Sequence, residues 1–106
     1  NYQVQSGVKA VQMFDSWVGV LSKDQYRKNI LPHMQKIVAD FKKVNPQIPF
    51  ILYSQPSNHL IELLAETQAD ALSVDWRAPI GEIAKRLPRS ITLQGNLDPI
   101  VTTLNW

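Results

Sequence analysis

A buried strand that runs directly into a helix start is predicted by one stretch of the sequence, 91-ITLQGNLDP-99. Residues 91–93 predict a short apolar strand, and the Gly-Asn pair after them predicts a tight turn. Asp98 can accept hydrogen bonds from the first free N–H groups of a helix, and Pro99 has the fixed φ that suits the first helical turn. Together these parts make a βα unit. In folds built from such units, ligands bind at the carboxyl ends of the strands, where these turns lie.

Three earlier units follow the same plan. Apolar strands are predicted at residues 8–14, 48–53 and 71–74, each followed by a polar turn and a helical pattern. After the first strand, Gly19 is expected to loosen the loop. Ser22 and Gln25 have the spacing of a capping box, so a helix is predicted over residues 23–30. A second helical piece is predicted over residues 32–44, because its proline interrupts the pattern.

No hairpin signal separates these units, so a parallel sheet of the α/β class with right-handed crossovers is expected. A doubly wound sheet of four or five strands is one arrangement that fits. About half of a (β/α)8 TIM barrel fits better, because the first and last units lack a finished partner and whole barrels have ~250 residues. Since the chain begins without Met, we expect residues 1–106 to be one barrel segment of a longer protein. The side chains expected to face the barrel interior are Val11, Ile51, Val74 and Leu93.

The composition argues against several classes of function. Eleven basic and nine acidic side chains give a formal net charge of +2, and no basic run indicates nucleic-acid binding. The absence of cysteine excludes disulfides and thiolate metal sites. No apolar stretch approaches the ~20 residues of a membrane span, and no signal peptide opens the chain. His33 and His59 lie far apart in the sequence with no third ligand beside them, so no metal site is expected.

Five motifs together resemble a known family. They are 14-FDSW-17, 31-LP-32, 62-ELLAET-67, 74-VDW-76 and 93-LQGNLDP-99, which occur in this order in uroporphyrinogen decarboxylases. The resemblance covers nearly the whole chain, and the last motif is the most specific. It implies the middle-to-late part of a (β/α)8 barrel, in a cytoplasmic homodimer that needs neither metal nor organic cofactor. The implied reaction, in porphyrin and heme biosynthesis, is that of a lyase. It removes the four acetate carboxyl groups of uroporphyrinogen III as CO2 and gives coproporphyrinogen III.

One substrate-binding residue is carried across by the resemblance. Ser16 matches the serine of the FDSW-type motif, which contacts a substrate carboxylate in the family. From the residues alone, a serine at this place more often caps the turn after a strand. The resemblance also implies that an arginine-rich loop, an aspartate that holds the pyrrole N–H groups, a tyrosine and a late histidine lie outside this chain. We therefore expect no catalytic residue in residues 1–106, and no activity from the isolated segment.

Five other residues at strand ends have two interpretations each. Asp15 and Asp75 could serve as an acid–base pair, but they are expected to accept loop N–H bonds, because a polyanionic substrate would be repelled by them. Trp17 and Trp76 could wall a macrocycle pocket, although large aromatic side chains more often fill a core or an interface. Arg77 could meet a carboxylate, and a solvated rim arginine is the simpler interpretation.

The sequence departs from the family pattern after the second strand. Many members have a lysine and glycines there, whereas this chain has 54-SQPSN-58, a stiffer and neutral turn.

Two other functions stay open. A related zinc-dependent corrinoid or thiol methyltransferase would need a His-x-Cys pair at the end of that strand, where this chain has 52-LYS-54. A non-catalytic βα scaffold or binding segment is the third possibility.

Overall fold

The computed structural model describes residues 2–104, which form a parallel sheet of four strands with helices packed on one side. The strands are β1 (Val11–Asp15), β2 (Phe50–Ser54), β3 (Ala71–Ser73) and β4 (Thr92–Gln94). Their order in the sheet is β1-β2-β3-β4, and every neighbouring pair is parallel. The predicted parallel βα architecture is therefore confirmed. All four strands end at one edge of the sheet, which we call the carboxyl edge.

The α-helices precede β1 or connect the strands. They are α1 (Tyr2–Gln5), α2 (Lys23–Asn29), α3 (Leu31–Val44), α4 (Ile61–Ala65) and α5 (Ile80–Lys85). Short 3-10 helices occupy Val18–Val20, Asn58–Leu60 and Val101–Thr103. The sequence did not predict α1, which has no buried residue. Within residues 2–104, no helix combines the length and apolar character that crossing a membrane requires.

The capping box at the start of α2 is confirmed. The Oγ of Ser22 accepts a hydrogen bond from the N–H of Gln25 at 3.2 Å, and the side chain of Gln25 accepts one from the N–H of Ser22 at 3.4 Å. Pro32 lies in the first turn of α3, where its missing N–H costs nothing. The proline therefore belongs to the beginning of a new helix, as the split into two pieces predicted.

The fourth helix differs from the expectation. Instead of an α-helix that begins at Pro99, the described chain has the 3-10 helix Val101–Thr103. The carboxylate of Asp98 accepts a hydrogen bond from the N–H of Ile100 at 2.9 Å, in the turn before this helix, whose own N-cap Ile100 makes no side-chain cap bond. Asp98 thus accepts a nearby backbone N–H as expected, but the predicted capped α-helix does not form.

The two faces of the sheet have different partners, as the strand register shows. The face toward the helices carries Val11, Met13, Asp15, Phe50, Leu52, Ser54, Leu72, Val74 and Leu93. The other face, which we call the open face, carries Gln12, Phe14, Ile51, Tyr53, Ala71, Ser73, Thr92 and Gln94. On the helix side, the rings of Phe50 and Phe41 pack with centroids 5.1 Å apart. On the open face, the rings of Phe14 and Tyr53 lie 5.5 Å apart.

This register corrects the expectation for the barrel interior. Of the four side chains expected there, only Ile51 lies on the open face, whereas Val11, Val74 and Leu93 lie on the helix side. Side chains alternate along a strand, so a shift by one residue moves every one of them to the other face. The most apolar positions of these strands are covered by helices, and the open face is more polar.

The core lies between the helices and the sheet. Its largest fully buried side chains are Tyr26, Leu52, Leu60, Ile61, Leu72 and Ile83. Burying one Leu or Ile side chain of this kind stabilises a fold by ~1.5–3 kcal/mol. These residues come from α2, β2, α4, β3, α5 and the turn before α4, so the core joins every βα unit up to α5.

A carboxylate at the amino end of β3 gives the first prediction, which concerns pH. Asp70 accepts a hydrogen bond from the N–H of Phe50 at 2.7 Å and lies 2.9 Å from the Nζ of Lys42. Partial burial alone would raise the pKa of Asp70, but these two contacts outweigh burial and hold the pKa below its ordinary value. A lowered pKa in the folded state stabilises the fold above the unfolded pKa of about 3.9, and this contribution is lost as the pH falls further.

In the full-length protein, Asp70→Asn should therefore lower the unfolding free energy by a constant amount above about pH 5. The difference from the wild type should shrink as the pH falls below about 4. Urea unfolding between pH 7 and pH 3 measures it. Asp40→Asn removes an exposed ion pair with Lys36 and is the matched control, with an expected effect under about 0.5 kcal/mol. A difference that stays constant down to pH 3 would contradict the assigned role of Asp70.

Candidate functional site

Four loops follow the strands at the carboxyl edge, and they are the candidate site. They comprise residues 16–22, 55–57, 74–79 and 95–100. Contacts between them are direct. The side-chain amide of Asn96 donates to the carbonyl oxygens of Asp75 at 2.9 Å and Ala78 at 2.6 Å, which ties the fourth loop to the third. The amide of Asn58 donates to the carboxylate of Asp75 at 3.4 Å, which ties the second unit to the third.

Ser16 is the first residue after β1 and is exposed at the carboxyl edge. The turn that follows is capped by its neighbour, because a carboxylate oxygen of Asp15 accepts the N–H of Val18 at 3.2 Å. Among residues 2–104 the hydroxyl of Ser16 has no hydrogen-bond partner, so it does not serve as the cap. The serine hydroxyl is therefore available to a ligand, and the expectation that Asp15 accepts a loop N–H bond is confirmed.

Below this turn lies a buried hydroxyl that the sequence did not indicate as special. Tyr26 of α2 is fully buried, and within the described chain its hydroxyl has no hydrogen-bond partner. Burial, assisted by the negative charge of Asp15, raises the pKa of Tyr26 to about 12. The group therefore keeps its proton at neutral pH and can act as a hydrogen-bond donor but not as a base.

The two tryptophans at the carboxyl edge do not fill the core. Trp17 exposes 81% of its surface and Trp76 exposes 37%. The interpretation as core residues is therefore wrong for both side chains in this chain. Large aromatic surfaces next to polar groups at one edge of a sheet suit contact with a ligand or another protein segment.

Asp75 and Arg77 form an ion pair in the loop after β3. Asp75 is 4% exposed, and one of its carboxylate oxygens accepts the backbone N–H of Arg77 at 2.9 Å. The other carboxylate oxygen lies 3.2 Å from Nη1 of Arg77 without hydrogen-bond geometry, and it has no hydrogen-bond partner in the part of the chain described. The carbon of the guanidinium lies 4.3 Å from the centroid of the Trp76 ring. The expectation that Asp75 accepts a loop N–H bond is confirmed, and Arg77 supplies the opposite charge that this carboxylate needs.

Tyr53 brings a phenol from the open face to the same region. Its hydroxyl hydrogen-bonds to the side-chain oxygen of Gln55. Burial and the carboxylate of Asp75 raise the pKa of Tyr53, and Arg77 opposes this shift in part. The phenol is therefore a neutral donor at physiological pH, next to a paired carboxylate and guanidinium.

The histidines do not meet at this edge. A ring nitrogen of His59 lies 2.9 Å from the carbonyl oxygen of Leu21, to which it donates, and His33 is exposed on α3. Within residues 2–104, no three His, Asp or Glu side chains come together as metal ligands would. A separate groove of about 260 Å³ is lined by residues outside the four loops at the carboxyl edge. Its lining residues are Glu62, Ala65, Glu66, Arg86, Leu87 and Pro88.

The fold and the carboxyl edge define a class of protein: a segment of a parallel βα fold that presents hydroxyl, amide and guanidinium groups where its strands end. Comparison with known proteins identifies the family. The family model of uroporphyrinogen decarboxylase (URO-D) matches residues 1–106. The chain is 45% identical over 98 residues to the uroporphyrinogen decarboxylase of Trichodesmium erythraeum, and 44% identical over 105 residues to that of Legionella pneumophila. These matches cover 92% and 97% of the chain.

The chain therefore belongs to the uroporphyrinogen decarboxylase family, which confirms the resemblance found in its motifs. Its relatives are decarboxylases, and its four parallel βα units are part of the TIM barrel of that family. The chain spans 28% of the length of the Trichodesmium relative and 30% of the length of the Legionella relative.

Proposed function

We propose that the full-length protein containing this chain is a uroporphyrinogen decarboxylase that converts uroporphyrinogen III to coproporphyrinogen III. The observation that carries this proposal is the match of the family model to all of residues 1–106. The proposal includes a cytoplasmic homodimer that uses neither metal nor organic cofactor. The carboxyl edge supports the proposed substrate, because the neutral hydrogen-bond donors and the one guanidinium there suit a ligand that bears several carboxylates.

The proposed reaction requires little covalent chemistry from the protein itself. Protonation of a pyrrole carbon makes the ring an electron sink. The bond between the acetate methylene and its carboxylate then breaks, CO2 leaves, and the electron pair moves into the ring. Protonation of the methylene gives a methyl group, and loss of the first proton restores the pyrrole. The protein mainly orients the substrate and stabilises charge, and both effects depend on donors held in place before the substrate binds.

Within this proposal, Ser16 donates a hydrogen bond to a substrate carboxylate. Its exposed hydroxyl, which has no partner in the described structure, supports this role. So does the hydrogen bond from the N–H of Val18 to Asp15, because it holds the turn and leaves the serine free. A hydroxyl at the end of a barrel strand lies where ligands bind in this architecture.

Replacing this hydroxyl provides the second prediction. In the full-length protein, Ser16→Ala should lower kcat/KM for uroporphyrinogen roughly ten- to hundredfold, because a hydrogen bond to a charged group contributes ~1.5–3 kcal/mol. The melting temperature should stay close to that of the wild type, since Ser16 is exposed. Ser90→Ala, an exposed serine before β4 at the opposite edge, is the control. Equal kcat/KM values for wild type and Ser16→Ala would make Ser16 a simple turn residue.

The proposed function itself is tested with purified full-length protein and uroporphyrinogen III under oxygen-free, reducing conditions. Chromatography should show the products with progressively fewer acetate carboxyl groups, ending in coproporphyrinogen III. If the protein binds the substrate but releases no CO2, it is a binding scaffold and the proposal is wrong.

A further inference from the structure

The guanidinium of Arg77 has donors that the protein itself does not use. A guanidinium carries five N–H groups. One nitrogen, Nη1, lies 3.2 Å from the carboxylate of Asp75, and the side chain is 45% exposed. The remaining guanidinium N–H groups have no hydrogen-bond partner among residues 2–104. Since the free donors are at the carboxyl edge, they can meet a ligand there.

The side chain is also held in place before any ligand arrives. The Trp76 ring covers one side of the guanidinium at 4.3 Å, and the buried carboxylate of Asp75 attracts it from another direction. An arginine fixed in this way loses less conformational entropy when it binds an anion than a freely moving one does. The Tyr53 phenol, whose hydroxyl is bonded to Gln55, adds a polar neighbour on the open face.

No other cation competes for this role in the four loops described above. In residues 16–22, 55–57, 74–79 and 95–100 the charged side chains are Asp75, Arg77 and Asp98. Arg77 is thus the sole basic residue of these loops. The carboxylate of Asp98 accepts the N–H of Ile100 at 2.9 Å, in the fourth loop.

The spacing of Arg77 and Ser16 suits one large ligand. Ser16 follows β1 and Arg77 follows β3, with β2 between these two strands. Neighbouring strands lie ~4.8 Å apart, so the two strand ends are separated by ~10 Å. A small anion cannot reach both places, but a macrocycle with carboxylates around its rim can.

We propose that Arg77 is a substrate-binding residue that holds one carboxylate of a polycarboxylate macrocycle at the end of β3. This inference rests on the proposed function for the identity of the macrocycle. Arg77 touches a carboxylate that is bound throughout the reaction. It contributes equally to ground-state and transition-state binding, and its loss acts on KM more than on kcat.

The test compares four variants of the full-length protein. Arg77→Gln should raise KM for uroporphyrinogen about tenfold or more, with kcat changed less than about threefold. Arg77→Lys keeps the charge but loses the planar fork, so its KM should lie between those of wild type and Arg77→Gln. The double variant Arg77→Gln/Asp75→Asn removes both charges, and its KM should stay as high as that of Arg77→Gln. Arg89→Gln makes the same change of charge in the exposed loop before β4 and should leave KM unchanged.

The double variant separates a binding role from a structural one. If Arg77 only neutralises the buried carboxylate of Asp75, removing both charges should restore KM to near the wild-type value, and the proposal is then wrong. The proposal is also wrong if Arg77→Gln leaves KM unchanged, or if Arg89→Gln raises KM to the same extent. If Arg77→Gln does not fold, the KM of the double variant is compared with that of the wild type. A raised KM supports a binding role for Arg77, and a KM near the wild-type value contradicts it.

A binding titration keeps this inference distinct from the proposed function. Uroporphyrin, the oxidised macrocycle, has the same carboxylates and serves as an unreactive probe whose fluorescence reports binding. Arg77→Gln should raise the Kd for uroporphyrin by about the same factor as it raises KM for uroporphyrinogen. If the wild type binds uroporphyrin but does not decarboxylate uroporphyrinogen, the proposed function fails, and the ratio of Kd values still decides the role of Arg77. If the wild type is active and the variant binds equally well, only the role of Arg77 fails.

Discussion

The 106-residue chain produced by itself is expected to convert no detectable uroporphyrinogen to coproporphyrinogen. Its four strands cannot close a barrel, which needs eight. The open face consequently meets solvent, and Phe14 on that face exposes 66% of its surface. Enzymes accelerate reactions by about a millionfold or more through fixed orientation and exclusion of water. A carboxyl edge without the facing half of the barrel supplies neither, so nearly the whole acceleration should be lost.

Chromatography of the products after incubation with uroporphyrinogen III measures this loss. The full-length protein at the same molar concentration is the positive control, and a circular dichroism spectrum shows whether the shorter chain keeps its helices. Turnover by the 106 residues at a rate near that of the full-length protein would mean that the four described loops contain the complete site. In that event, the expectation that further site residues lie outside this chain would be wrong.

The parallel sheet was predictable from the sequence because each run of apolar residues indicates a strand that is covered by helices. The exact ends of the strands were not. Residues 8–14 and 48–53 were predicted, whereas the strands run over Val11–Asp15 and Phe50–Ser54. The last pair of this ladder joins Asp15 to Ser54, two polar residues that hydrophobicity alone assigns to loops. Pairing of the backbone with a neighbouring strand extends β1 and β2 past the end of their apolar sequence.

The carboxyl edge was predictable as a location and not as a set of contacts. Strand ends place Ser16, Asp75 and Arg77 at one edge whatever their side chains do. The ion pair of Asp75 with Arg77 is local in sequence and was still not predicted, because it depends on how deeply the loop buries the carboxylate. The bond from Asn58 to Asp75 spans two units and requires the strand order β2-β3. Local patterns carry no information about such pairs.

Gly19 is the clearest case of a contact between loops that the sequence did not predict. The sequence suggested a residue that loosens the loop after β1, but the structure places Gly19 against the backbone of the next loop. An ideal Cβ at this position would lie 1.6 Å from the carbonyl oxygen of Pro56 and 2.5 Å from its carbonyl carbon. The glycine is therefore needed for close approach of two loops at the carboxyl edge, a tight contact where flexibility was expected.

Gly19→Ala is expected to destabilise the full-length protein strongly. Both atoms in the way belong to the backbone, so no side chain can rotate to make room. The loop of residues 55–57 would have to move, although the hydroxyl of Ser57 anchors it by donating to the carbonyl oxygen of Ser54 at 2.7 Å. Overpacking of this kind costs typically 1–3 kcal/mol, and a backbone clash this close should reach about 3 kcal/mol or more. Because both loops belong to the carboxyl edge, kcat/KM should fall as well at temperatures where the variant stays folded.

Gly81→Ala is the matched control for this substitution. Gly81 lies in α5, and no atom beyond its chain neighbours and the backbone of the helix itself is within 4 Å of the position its Cβ would take. Alanine should therefore stabilise the protein slightly, by about 0.5–1 kcal/mol, because it restricts the unfolded chain and favours the helix. Thermal unfolding of both variants beside the wild type gives opposite shifts in melting temperature if the two loops pack as described. Equal melting temperatures for Gly19→Ala and the wild type would show that the loops after β1 and β2 do not touch at this glycine. The close packing of the loops at the carboxyl edge, on which the proposed roles of Ser16 and Arg77 depend, would then be wrong.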